Sequence, residues 1–244
     1  MRILIAIDDT DNLTSRGTGH CARKLAERLR ETGLAEVSGI TRHQLYVHEN
    51  IPFTSHNSSA CLFAEGERID EISYLCGRFL LNNSASGSDA GLCVAPWDSV
   101  NEKIEQWGRS AKTTVLTMDA ARDLARSSGI YLEGFTGTHG GIIGALAAVG
   151  LKKAGNDGRF LYIKGMRKLM GVMSAQEILN ETGIEHIIST EGLEPSAQSR
   201  ILLEEWWRPV LKNHKATLIV EQVNSNLYHE YKIIPKNLLK ELSA

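Results

Sequence analysis

Met1-Arg2-Ile3-Leu4-Ile5-Ala6-Ile7-Asp8-Asp9-Thr10-Asp11 runs from an apolar segment straight into three carboxylates, and the turn Gly17-Thr18-Gly19 follows. Five consecutive apolar residues read as a buried strand. Ala22, Leu25, Ala26 and Leu29 recur at helical spacing over 19–31, which predicts a helix packed back onto that strand. Carboxylates gathered at one strand mouth repel each other and raise each other's pKa. A fold keeps them there when they are well solvated or share a hard cation such as Mg2+, which takes oxygen ligands and bridges to phosphate. The glycine turn and the helix start then offer backbone N–H groups to an anion. Asp8, Asp9 and Asp11 are therefore candidate metal ligands and catalytic groups, with Gly17, Thr18 and Gly19 as candidate nucleotide-binding residues. The competing reading is a polar turn and helix cap, since Asp and Thr are favoured there for local hydrogen bonding alone.

The 244 residues suffice for one large domain or two small ones. Hydrophobic content of 42% beside 23% charged residues is ordinary globular composition, and no stretch has the apolar length of a membrane span. The immediate start on a strand, without the apolar core of a signal peptide, predicts a cytoplasmic location. Cys21, Cys61, Cys76 and Cys93 form no C-x-x-C pair, which excludes a zinc ribbon or a dithiol redox motif. They read as free and mostly buried, with Cys21 placed where a helix N-terminus could lower its pKa. A net charge of -2 does not announce a nucleic-acid binder. The local cluster Lys152, Lys153, Arg159, Lys164, Arg167 and Lys168 keeps RNA open, against the plainer reading of a solvated face.

Further along, 37–49 and 58–64 read as strands on either side of the breaker Asn50-Ile51-Pro52-Phe53, and 69–81 as a helix. A Ser/Asn/Gly-rich run over 82–91 leads into a short strand at 92–95. Helix 101–109, strand 113–117 and helix 119–127 follow in the alternation of an α/β domain. Gly137, Gly140, Gly141 and Gly144 surround His139 and enter the small-residue helix Ala145-Leu146-Ala147-Ala148-Val149-Gly150. This is either a second phosphate cradle or a flexible loop before a tightly packed helix. The loop Gly155-Asn156-Asp157-Gly158 marks a boundary, giving a catalytic region over 1–154 and a smaller α+β region over 155–244. In the latter, 160–164 and 186–189 read as strands, 174–182 as a helix, 196–211 as a long helix carrying Trp206-Trp207 with one ring buried and one half-exposed, 217–234 as a hairpin, and the end as a helix after Pro235.

Four motifs in order carry a resemblance: Asp8-Asp9-Thr10-Asp11 with Ser15-Arg16-Gly17; Thr41-Arg42 through Asn50-Ile51-Pro52-Phe53; Ser88-Asp89-Ala90-Gly91; and Gly140-Gly141 through Gly150. Over about the first 150 residues the chain resembles the catalytic part of the archaeal agmatinylcytidine synthetases that modify an isoleucine tRNA. The resemblance implies a kinase-like region that binds ATP and Mg2+, followed by ferredoxin-like α+β packing. It further implies that Asp8, Asp9 and Asp11 handle metal and phosphates and that both glycine segments line one cleft. The chain departs from the family in three ways. Cys21-Ala22-Arg23 stands where the family has consecutive threonines, one of them phosphate-accepting, which makes His20 a candidate catalytic substitute. Thr54-Ser55-His56-Asn57-Ser58 replaces a basic run, and the family's C-terminal OB-like and zinc-ribbon modules have no counterpart.

The sequence thus predicts an α/β (α+β) protein performing Mg2+-dependent, ATP-consuming group transfer of kinase or ligase type. Arg16, Arg42, Gly140 and Gly141 join the nucleotide-binding candidates, and Asn50, His56, Asn57, Asp89 and His139 are the substrate candidates. The acceptor is tRNA or a small molecule, the latter seated near His43, His56 and Asn57. The alternative from a different class is a non-catalytic nucleotide or small-ligand sensor.

Overall fold

The computed structural model describes residues 1–54, 56–223 and 228–243. It divides into two compact units, Met1–Ala154 and Gly155–Ala244. In the first, β1 (Arg2–Asp8), α1 (Thr18–Glu31), β2 (Ala35–Gln44), β3 (Ser58–Gly66), α2 (Ile69–Asn83) and β4 (Gly91–Pro96) follow one another. The strands lie in the order β4-β1-β3-β2, all antiparallel. This βαββαβ arrangement is the ferredoxin-like motif. A further strand, β5 (Tyr131–Gly134), extends the sheet beside β4.

The apolar run of β1 is buried at every position from Ile3 to Ile7 because the sheet is covered on both faces. Leu4 and Ala6 join a core with Cys61, Cys93 and the small residues of α5 (Ile142–Ala154). By the alternation of a strand, Ile3, Ile5 and Ile7 point to the opposite face, where α1 and α2 pack. Over α5 lie α3 (Glu102–Ser110), capped by Asn101, and α4 (Met118–Ser127), capped by Thr117. The glycines let α3 and α5 meet backbone to backbone: a Cβ at Gly150 would stand 2.1 Å from the Ile104 carbonyl oxygen.

The second unit is richer in strands than its sequence suggests. It contains β6 (Arg159–Ile163), β7 (Gly171–Ser174), α6 (Ala175–Glu181), β8 (His186–Ser189), β9 (Arg200–Leu203), β10 (Val210–Lys212), β11 (Lys215–Gln222), β12 (Tyr231–Ile233) and α7 (Lys236–Leu242). The expected long helix over 196–211 is instead two strands, β9 and β10, separated by the segment with both tryptophans. Pro209 cannot sit inside a helix, and Ile201 and Leu202 are claimed by pairing with β7 and β12. Trp207 is buried in this unit's core, whereas Trp206 is half-exposed between Arg208 and Lys236.

The first unit brings several corrections. Residues 113–117 form no strand; they find no partner and instead wall a cleft. The short β5 was hidden because four residues carry no readable alternation. The basic cluster loses two members: Lys152 is buried with its ammonium 5.3 Å from the Phe63 ring, and Lys153 donates to the Trp97 carbonyl at 2.8 Å, whereas Lys164, Arg167 and Lys168 are exposed. All four cysteines are buried, and burial raises the Cys21 thiol pKa rather than lowering it. No helix among the described residues is long and apolar enough to cross a membrane.

Replacing Gly150 with alanine drives a methyl into the α3 backbone. We expect Gly150→Ala to cost about 1–3 kcal/mol, read as a lower urea midpoint at unchanged slope; an unchanged midpoint would mean that the two helices separate freely.

Candidate functional site

The end of β1 delivers Asp8 and Asp9 to the floor of a cleft. Asp9 takes a left-handed backbone conformation (φ 50°) that turns the chain out of the sheet. The Ser/Asn/Gly run braces this turn: Ala85 N–H donates to the Thr10 carbonyl at 3.0 Å and the Asn12 side chain to the Ser86 carbonyl at 3.0 Å. The run therefore fixes the acidic turn. It also places Asp89 beside Asp9, and Asp89 Oδ1 accepts the Thr138 N–H at 2.6 Å, tying the glycine loop to the same floor.

Asp8, Asp9, Asp11 and Asp89 all line the cleft, with Thr18, Asn50, His56, Asn57, Gly140 and Gly141. Its other wall is apolar: Leu45, Ile51, Pro52, Phe53, Val115, Leu116 and Ile143. The space between these walls, open mouth included, is about 910 Å³. Among the described lining residues there is no lysine or arginine. Burial, then the neighbouring Asp9 charge, pushes the Asp8 carboxyl up to about 8; Arg42, behind the cleft wall, pulls weakly the other way. Burial and then Asp89 raise Asp9 to about 6.

Asp11 has a different task. Its Oδ1 accepts the Thr18 N–H at 3.0 Å and the Thr18 hydroxyl at 2.7 Å, so it occupies the anion position at the start of α1. Gly17, the residue at the cap position, has no side chain to do this. The acidic run is therefore divided: Asp11 caps the helix, and Asp8 and Asp9 form the charged floor. Among the described residues, no group of three or more His, Cys, Asp or Glu side chains stands ready to hold a metal ion. A two-carboxylate floor nevertheless fits Mg2+, which is commonly bound by one or two carboxylates together with substrate phosphates and water.

The glycine loop is less open than a phosphate cradle. Thr138, His139, Gly141, Ile142 and Ile143 all spend their N–H groups within the fold, which leaves the Gly140 N–H as the one in 138–143 without a partner among the described residues. Gly17, Gly19, Arg16 and His20 lie outside the cleft lining. His20 stands on the exposed side of α1 among Arg16, Arg23 and Lys24; slight desolvation and these charges lower its pKa. His43 is fully buried and its Nε2 shares a 2.8 Å hydrogen bond with Thr41, so it belongs to the core and lines no pocket. His139 points away from the acidic cleft into a separate pocket. Sequence reading missed Leu45, Thr114, Val115 and Leu116; no motif marks a loop whose contribution is apolar surface.

Two substitutions separate the roles. A carboxyl that holds its proton more tightly folded than unfolded loses stability as pH rises from its ordinary value near 4 to its folded value near 8. In metal-free buffer the melting temperature should fall over that window, and Asp8→Asn should flatten the fall and stabilise by about 2 kcal/mol or more at pH 8. Asp11→Ala should instead cost about 1 kcal/mol through the lost cap; melts that respond alike would refute the division.

No family model matches the chain, and no curated protein matches it. Solved structures do. Apo TiaS, the agmatidine synthetase of an isoleucine tRNA, is 25% identical with a TM-score of 0.53. TiaS in complex with that tRNA and ATP, and a tRNA fluorescent labeling enzyme, are each 25% identical with a TM-score of 0.54. Each match covers 62% of this chain but only 35–36% of the other, so the chain spans about a third of the length of the solved proteins it matches. Over that share the chain is similar to TiaS in sequence and in fold, as its four ordered motifs predict.

Proposed function

We propose that the first unit catalyses an ATP-consuming group transfer that modifies RNA, with the phosphates lying over Asp8 and Asp9. The observation that carries this reading is the cleft floor: two carboxylates with raised pKa, Asp8 buried and Asp9 half-buried, beside a glycine loop with no basic side chain in the described lining. Such a floor has unmet demand for positive charge. A magnesium ion would neutralise both carboxylates and phosphate oxygens and withdraw charge from the reacting phosphorus. Asp8 and Asp9 would hold it; the Gly140 N–H would donate to a phosphate oxygen; and the apolar wall from Leu45 to Ile143 would take a flat base and exclude water. Preorganisation of this kind, more than covalent participation, supplies most of the rate in phosphoryl chemistry.

Similarity to TiaS supports a ligase-type reaction on tRNA, TiaS being known in a complex with its isoleucine tRNA and ATP. The exposed cations Arg16 and Lys24, with the half-buried Arg23, stand along the start of α1, next to the cleft residue Thr18, where an RNA backbone could pass. His20 has no catalytic part in this reading, because it does not line the cleft.

Purified protein with Mg2+ and ATP should turn over faster with bulk tRNA, and the identity of the product, AMP or ADP, separates ligation from phosphorylation. Asp8→Asn and Asp9→Asn should each lose roughly 100-fold or more in turnover, the scale of a lost electrostatic group. Turnover indifferent to RNA would move the acceptor to a small molecule; ATP binding without turnover would make the protein a sensor.

A further inference from the structure

The loop 137–141 has two faces. Thr138, Gly140 and Gly141 border the acidic cleft, while His139 lines a second pocket with Arg122, Arg126 and Glu133, walled by Ala125, Ile130 and Leu132. His139 is held at φ 70°, a left-handed conformation that glycine adopts freely and histidine only uncommonly. Its neighbours at 137, 140 and 141 are all glycine, so the sequence places a side chain where the backbone asks for none. The fold makes further room for it: a Cβ at Gly134 would stand 2.2 Å from the His139 Cβ. Strain kept at such a position is a pointer to function.

The charges around this pocket are unevenly committed. Arg122 and Arg126 come from successive turns of α4 and both line the pocket. Their ion-pair partners, Asp119 at 3.6 Å and Asp123 at 3.1 Å, have side chains 95% and 74% exposed, lie outside the lining, and hold the guanidinium groups only weakly. The one carboxylate in the described lining, Glu133, is already engaged by the Tyr131 hydroxyl. Arg122 and Arg126, their own side chains 42% and 78% exposed, thus border one concavity together with the His139 imidazole. Planar, multiply donating cations of this kind match the oxygens of a phosphate.

We propose that this pocket behind the glycine loop binds a phosphate group through Arg122, Arg126 and His139. The phosphate is supplied either by an RNA backbone or by a free phosphate compound. Because the same loop carries Thr138 and Gly140 into the acidic cleft, an occupied pocket would hold that loop from behind. The proposal rests on this geometry and does not require the acidic cleft to act on RNA.

The test uses the full chain, Arg122→Gln with Arg126→Gln, and His139→Gly, which leaves the left-handed backbone unstrained. Melting temperatures establish that both variants fold. Inorganic phosphate is titrated while the His139 ring signals are followed by NMR, and binding of an RNA stem-loop is measured by anisotropy at several salt concentrations. If the backbone is the source, both variants bind RNA roughly fivefold or more weakly, and the double variant loses about one to two from the slope of log K against log salt. If a free phosphate compound is the source, inorganic phosphate shifts the His139 signals in the parent and not in the double variant, while RNA affinity is unchanged. Folded variants with parental RNA affinity, together with His139 signals that ignore phosphate, overturn the proposal. A parent that binds no RNA at all would count against the RNA reading of the acidic cleft, and the phosphate titration would still decide this pocket.

Discussion

The site depends on how closely the start of α5 is allowed to sit over the ends of β1 and β4. A Cβ at Gly144 would lie 1.8 Å from Asp8 Oδ2, one at Gly141 2.8 Å from the Asp8 carbonyl oxygen, and one at Gly91 2.2 Å from the Gly141 carbonyl carbon. Three missing side chains let a helix close over a carboxylate. That closure desolvates Asp8, and desolvation is the largest cause of its raised pKa. The glycine-rich stretch is therefore chiefly a packing device: it spends most of its amides internally, and what it contributes to chemistry is the environment it imposes on the aspartates.

This arrangement sets stability against function. A fold that wanted only stability would place an apolar residue at the end of β1, as it does at positions 3 to 7. Charged carboxylates in a closed position weaken the folded state, and they persist where a bound partner returns the deficit. The surrounding structure over-determines the acidic turn through the 82–91 brace and the Asp89 tether, so the turn keeps its geometry despite the repulsion.

Much of this was legible in the residues. The buried β1, the amphipathic α1 and the small-residue α5 have strong periodicities, and the ordered motifs place the aspartates and the glycine loop together. What could not be read follows from long-range choices. Residues 113–117 are rich in β-formers, but whether they become a strand depends on a partner that local sequence cannot supply. The run from Ile201 to Trp207 looks helical until Pro209 and pairing with two distant strands decide otherwise. Asp11 was readable as ligand or cap, and its hydrogen bonds to Thr18 show the cap. Lys152 and Lys153 look like surface charge, yet their stems and ammonium groups are used inside the fold against Phe63 and Trp97.

Asp11 also governs what may enter. With its carboxylate already seated at the start of α1, the helix offers no vacant positive end to an incoming anion, and the rest of the lining adds three more carboxylates. A bare polyphosphate would meet a carboxylate floor with no cation in the described lining to offset it. A polyphosphate already chelated to a divalent ion brings the compensating charge with it, so metal and anion must each strengthen the other's binding by the same factor. On the proposed reading the cleft therefore selects by net charge, favouring the chelate over the bare anion.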